Sequence, residues 1–273
     1  MTSLQHKTFH NKGCDIHYWH RPGSMPKHVI FLHGAGCDHR MFEAQLPIFD
    51  DSYHLLLWDA RGHGQSKLAP DIKFSYGDMV DDLFRLCERY RISDAVLIGQ
   101  SMGGNLAQEI LYRRPELVSK LVLIDCTRNT GRLSITEKLM LKLTKPVFFC
   151  YPWETLICRS ADACGNTKAV KEYVRGCFSQ MKKTDFIAVM MSLMTCLRED
   201  TQYRFPKPVL LLCGEDDRSG NIRKIAASWA ESDPNCTWRR IEKAGHNSNQ
   251  DNPVAVNQAI CEFLSPHMLS PFQ

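Results

Sequence analysis

The sequence lacks any apolar run of about 18 residues, the length that a membrane-crossing helix requires, so no span is predicted. Its opening residues, Met1-Thr2-Ser3-Leu4-Gln5-His6-Lys7, hold no apolar stretch of the kind that directs secretion. Neither sign of charge dominates. The 34 basic and 30 acidic residues leave a formal charge of +4, and the longest basic clusters, Lys182-Lys183 and Arg239-Arg240, are mere pairs. That balance argues against a nucleic-acid or anionic-membrane partner and for an ordinary solvated surface. The twelve cysteines include no C-x-x-C pair, and no internal repeat or low-complexity segment appears. A chain of 273 residues buries enough surface to hold together without staples. Cys87, Cys126, Cys213 and Cys261 fall in apolar periodic segments, where a thiol behaves as a small hydrophobe. The cysteines are therefore expected to be reduced and buried, in a cytoplasmic protein without a metal.

What the chain does have is an alternation of short apolar runs with amphipathic stretches, the pattern of a mainly parallel sheet covered by helices on both faces. Strands are expected at Asp15–Trp19, Val29–Leu32, Leu55–Trp58, Ala95–Ile98, Leu121–Ile124, Val209–Cys213 and Thr237–Ile241. Runs such as Val209-Leu210-Leu211-Leu212-Cys213 fit strands buried on both faces. Met79, Leu83, Leu86 and Tyr90 recur at helical spacing, as do Val256, Ile260 and Phe263. The rhythm breaks between residues 127 and 205, where helical signals (Leu139–Leu143, Ala169–Phe178, Phe186–Leu197) occur without strands and Pro146 and Pro152 are expected to interrupt. This reads as a helical cap, with residues 1–126 and 206–273 forming the core.

Gly99-Gln100-Ser101-Met102-Gly103 spells G-x-S-x-G between an apolar run and an amphipathic stretch. A strand turning sharply into a helix there would strain Ser101 and expose its hydroxyl. Glycines are expected at 99 and 103 because the turn leaves no room for a Cβ. The pentapeptide alone is weak evidence, so its partners decide. Asp217 follows the buried strand Val209–Cys213, where carboxylates meet ligands in open α/β sheets; Asp216 is its near alternative, and Asp125 a further one. A capping aspartate before the helical stretch Asn221–Ala230 is the bland reading of the same residues. His246 comes just after a strand, and the order Ser101, Asp217, His246 suits a nucleophile elbow. His17 and His20 lie three apart on a strand and face opposite sides, so they are no chelating pair. The turn His33-Gly34-Ala35-Gly36 offers Ala35 N–H, and the helix start offers Met102 N–H, as oxyanion donors. His33 itself is expected to shape the loop. Gly34-Ala35-Gly36 runs on to Asp38-His39-Arg40 without a third glycine, so no nucleotide or flavin is implied.

With these pieces, and with Asp59-Ala60-Arg61-Gly62-His63-Gly64-Gln65-Ser66, the chain resembles a cap-bearing α/β-hydrolase over nearly its whole length. The resemblance implies an α/β-hydrolase fold with an eight-stranded, mostly parallel sheet. It also implies Ser101 as nucleophile, His246 as base, Asp217 as orienting acid, and no cofactor. Epoxide hydrolases and haloalkane dehalogenases resemble this fold but carry aspartate where Ser101 stands. The expected activity is cleavage of a small carboxylic ester or lactone, with carbon–carbon bond hydrolysis, perhydrolysis or ligand sensing as alternatives. Gly34, Phe148, Trp153 and Met191 are candidate substrate contacts. Phe149, Met190 and Met194 belong to the same apolar group, at least half of which is expected to form the cap's own core.

Overall fold

Alternating buried strands and amphipathic helices close into one eight-stranded sheet in the computed structural model, which describes residues 3–264. In chain order the strands are β1 (Gln5–Asn11), β2 (Cys14–Arg21), β3 (Lys27–Leu32), β4 (Tyr53–Trp58), β5 (Ala95–Gln100), β6 (Val118–Ile124), β7 (Val209–Gly214) and β8 (Cys236–Ile241). Helices α1 (Tyr76–Arg89) and α2 (Met102–Arg113) flank β5. Helices α3 (Ile135–Cys150), α4 (Trp153–Cys164), α5 (Lys168–Phe178) and α6 (Lys183–Leu193) come between β6 and β7. Helix α7 (Ile222–Ser232) precedes β8, and α8 (Ser248–Asp251) and α9 (Pro253–Leu264) follow it.

The strands lie in the order β1-β2-β4-β3-β5-β6-β7-β8. Strands β4, β3, β5, β6, β7 and β8 pair in parallel, and β2 is antiparallel to both β1 and β4. From β3 the chain moves outward to β4 and then crosses to β5 on the other side. That reversal opens a crevice at the carboxyl ends of β3 and β5, where open α/β sheets place their ligands. All six residues of β7 are buried, as its continuous apolar run predicts.

Four local expectations are corrected. Strand β1 was not expected, because its residues QHKTFHN are mostly polar and exposed; an edge strand needs only its partner's backbone, here β2 in the register Gln5↔His20 to Asn11↔Cys14. Helix α4 was also missed, since only a narrow stripe of Leu156, Ile157 and Ala161 is buried. Pro146 does not interrupt its helix: α3 runs through it to Cys150, and it is Pro152 that stands at the next boundary as the N-cap of α4. Among the described residues the segment between β6 and β7 contains no strand. All twelve cysteines are free, and Cys150 and Cys158 are exposed, contrary to the expectation of general burial.

Candidate active site

Ser101 stands between β5 and α2 with φ +49, a left-handed conformation that a residue with a Cβ adopts only under strain. Its N–H donates to Ile124 O (2.9 Å) and its C=O accepts the first helical bond, from Asn105 N–H (3.0 Å). The turn is tight because its neighbours lack side chains. A Cβ on Gly103 would lie 1.8 Å from Leu32 O, and one on Gly99 would lie 2.3 Å from Gly103 O. The expected glycine requirement at both positions is met by backbone, which cannot yield as a flexible side chain can.

Asp217 follows β7 in a turn closed by its own N–H on Gly214 O (3.1 Å). Its buried carboxylate accepts from Ser219 N–H (2.7 Å) and from His246 Nδ1 (3.0 Å). Asp216, one residue earlier, is exposed and accepts instead from Asn166 Nδ2 (2.7 Å). His246 Nε2 lies 3.0 Å from Ser101 Oγ. A carboxylate only accepts, so the proton between them is assigned to Nδ1, which leaves Nε2 free to accept from the serine hydroxyl. Burial pulls the imidazole pKa down, but the Asp217 hydrogen bond and the charges of Asp217 and Asp125 leave it above the ordinary histidine value.

The loop after β8 that carries His246 is anchored on several sides. Gln100 Nε2 donates to His246 O (2.7 Å) from the residue just before Ser101. Asp251 accepts from Gly245 N–H (2.9 Å) and also from Asn166 and Thr167 N–H at the start of α5. Asn247 N–H donates to Cys164 O at the end of α4 (2.7 Å). Asp125, at the end of β6, accepts from Gly214 N–H (2.7 Å) and Ser248 N–H (2.9 Å) rather than from His246. The side chains of Gln100 and Asp251 escape a sequence reading because nothing in their spacing signals a bond to a loop about 146 residues away or to a neighbouring turn.

The turn after β3 packs against Ser101: a Cβ on Gly34 would come within 3.5 Å of Ser101 Cβ and 2.1 Å of Gln100 Oε1. Cys37 N–H on Gly34 O (3.1 Å) closes this turn around half-buried Ala35. Met102 is the first residue of α2, so its N–H belongs to the helix turn that has no intrahelical acceptor. His33 bonds Gly34 O through Nδ1 (2.8 Å) and accepts Ala60 N–H at Nε2 (2.9 Å). Burial holds it below the usual histidine range, and the geometry fits the loop-shaping part expected of it. Cys37 is buried, and its hydrogen bond to Cys177 together with burial pushes its thiol well above the usual value.

Of the other expected contacts, Phe148 and Trp153 both pack on Phe186, at centroid distances of 5.9 and 5.5 Å. Met191, Met190 and Met194 are half-buried, whereas Phe149 is 52% exposed, with Lys183 Nζ over its ring. Phe178, which no sequence signal singled out, reaches the turn after β3: its Cε1 would lie 2.2 Å from a Cβ on Gly36. Phe178 and Phe186 are themselves in contact (5.0 Å).

A profile of the Alpha/beta hydrolase family matches residues 29–259, and the chain belongs to that family. It is 23% identical to "Uncharacterized hydrolase YugF" of Bacillus subtilis (strain 168) over 263 residues, spanning 92% of this chain and 95% of that one. Among solved structures it resembles a thermophilic esterase from Thermogutta terrifontis, with a TM-score of 0.79 at 21% identity over 97% of this chain and 99% of the other. The enol-lactonase from Burkholderia xenovorans LB400 gives a TM-score of 0.79 at 18% identity, over 95% and 100% of the two chains. Identities this low speak for the fold alone.

Proposed function

We propose that the protein is a serine hydrolase that cleaves a small carboxylic ester or lactone through an acyl-enzyme. The observation that carries this reading is the unbroken hydrogen-bonded chain from Ser101 Oγ to His246 Nε2 and from His246 Nδ1 to Asp217 Oδ2. In the first step Ser101 Oγ attacks the carbonyl carbon while His246 Nε2 takes its proton. The oxyanion is held by the N–H groups of Ala35 and Met102. Collapse of the intermediate breaks the bond to the leaving alkoxide, which takes the proton from His246. Water, deprotonated by the same imidazole, then releases the acid and restores Ser101. Asp217 keeps the imidazole in the reactive tautomer and stabilises the imidazolium.

Residues 127–205 act in this reading as a cap, with Phe178 over the oxyanion turn and the Phe148–Trp153–Phe186 cluster behind it. The structural neighbours named as an esterase and an enol-lactonase show that this fold can serve the same substrate class. Turnover of short-chain p-nitrophenyl esters by the wild type and by Ser101→Ala is the direct test. Saturable hydrolysis that falls by about 10⁴-fold or more on substitution is expected. Slow, non-saturating hydrolysis that is the same in both proteins would reject the assignment in favour of a ligand-sensing protein of the same fold.

A further inference from the structure

Asp125 directly follows β6 with φ +47, a second non-glycine residue held in the left-handed region beside Ser101's neighbourhood. Its side chain is fully buried, and each oxygen has a separate backbone donor. Oδ1 takes Gly214 N–H, three residues before Asp217, and Oδ2 takes Ser248 N–H, two residues after His246. Donor atoms of Asp125, Cys213 and Asp217 all lie within 4.8 Å of one another. Two carboxylates are thus stacked behind one imidazole.

We propose that Asp125 is a positioning residue of the Ser101 site: it ties the Asp217 loop and the His246 loop to the end of β6, and its charge adds to that of Asp217 behind the imidazole. The proposal rests on the hydrolase reading above. Its argument is geometric. The two loops leave different strands, β7 and β8, and this carboxylate is bonded to both of them. A residue that only filled space at the end of β6 needs no charge in a buried, carboxylate-lined position, where ionisation is costly. The groups that face it are Asp217 from the loop after β7, His246 from the loop after β8, Cys213 on β7, and its chain neighbour Cys126. Burial and the nearby Asp217 charge push the Asp125 carboxyl up to about 7, while His246 pulls the other way. The charge of Asp125 in turn favours the protonated His246 ring. Transfer of the Ser101 proton to His246 creates the cation that favours ionised Asp125, so the added charge acts most when the imidazolium forms.

Asp125→Asn tests this: the amide keeps the size of the side chain, removes the charge and, because its Nδ2 cannot accept, gives up one of the two backbone ties. Nitrogen-15 NMR titration of the His246 ring reads the effect with or without turnover. The midpoint is expected to fall by about one pH unit or more, from the loss of a negative charge at this range. In ester hydrolysis the acid limb of kcat/KM is expected to move to lower pH by a similar amount, while plateau kcat drops by roughly tenfold and KM stays within about twofold. An unchanged His246 midpoint with activity lowered uniformly at every pH would overturn the proposal and leave Asp125 a fold staple. If the ring midpoint shifts but wild-type Ser101 neither turns over esters nor reacts with a phosphonate, the hydrolase reading fails and the positioning assignment stands. Should Asp125→Asn not fold, the wild-type protein supplies the measurement. The amide protons of Gly214 and Ser248 are expected to titrate together with the His246 ring, and amides that stay still from pH 5 to 9 while the ring titrates would overturn the proposal.

Discussion

At the scale of single residues, the site depends on a histidine raised above its ordinary range and held in place by groups that touch no substrate. The raised His246 sets the pH dependence. The proton-accepting form is the neutral one, so kcat/KM is expected to rise with pH through a midpoint above the ordinary histidine value of about 6.5. A pH–rate profile from pH 5 to 9 checks this, and a midpoint below 6 would contradict it. Gln100 is the second residue with a testable part, because its amide holds the carbonyl of His246 from the strand that delivers Ser101. Gln100→Ala is expected to reduce kcat by roughly 10- to 100-fold with little change in KM, the signature of a misplaced imidazole. Ser101 and Asp217 were legible in the sequence because each follows a strand whose apolar run announces where it ends, and His246 because its place after them in the chain suits a nucleophile elbow. Gln100, Asp251 and Phe178 were not, because their parts arise from contacts across the sheet's end that leave no periodicity behind.

At the scale of elements, the close approach of α2 to β3 is what fixes the Ser101 turn in the crevice. Gly103→Ala would drive a methyl group into the Leu32 carbonyl, which is backbone and cannot rotate away. Loss of about 3 kcal/mol or more is expected, together with loss of activity in whatever protein still folds, measured by urea unfolding and ester turnover. A second brace lies on the other side of the crevice. The Arg61 guanidinium, fully buried, makes a two-pronged pair with Asp82 of α1 (2.6 and 2.7 Å) and so fixes the segment that runs from Asp59 to Ser66. Removing one partner strands a buried charge, so Arg61→Met is expected to cost about 3–5 kcal/mol, and Arg61→Met with Asp82→Leu to recover much of it. Both elements were visible as helices in the sequence. The Arg61–Asp82 pairing was not, because a buried ion pair and a solvated pair of charges look alike in one dimension. Helix α4 and strand β1 escaped for related reasons: one buries only a narrow stripe, and the other owes its existence to β2's free edge.

At the scale of the whole molecule, histidines buried in the neutral form weaken the fold at mild acid pH, against the opposing effect of Asp125, whose raised carboxyl takes up its proton more readily in the folded chain. Burial is the largest cause for both His63, lowered to about 3, and His20, lowered to about 4. Among the described residues His63 Nε2 and His20 Nε2 have no hydrogen-bond partner. The unfolded chain binds protons on these rings near pH 6.5 and the folded chain does not, so their contribution is whole above that pH. It is lost progressively as pH falls from about 6.5 through the folded values. Urea midpoints are therefore expected to drop between pH 7 and pH 5, and replacing His63 by a residue that does not titrate should flatten that slope. A midpoint that rises on acidification would contradict the assignment. That the sheet is mainly parallel was readable from apolar runs alternating with amphipathic stretches, whereas the strand order was not, because nothing in the runs says which strand pairs with which. How residues 127–205 meet the turn after β3 was not readable, because one ring, Phe178, packs both on that turn and on Phe186.

The account turns on whether Ser101 is the group that reacts. Treating the wild type with a fluorophosphonate probe and mapping the adduct by mass spectrometry measures this directly. A single adduct on Ser101, formed far more slowly in His246→Ala and absent in Ser101→Ala, is the predicted result. Label on Cys37, the thiol beside the same turn, or equal labelling of the Ser101→Ala protein, would contradict it.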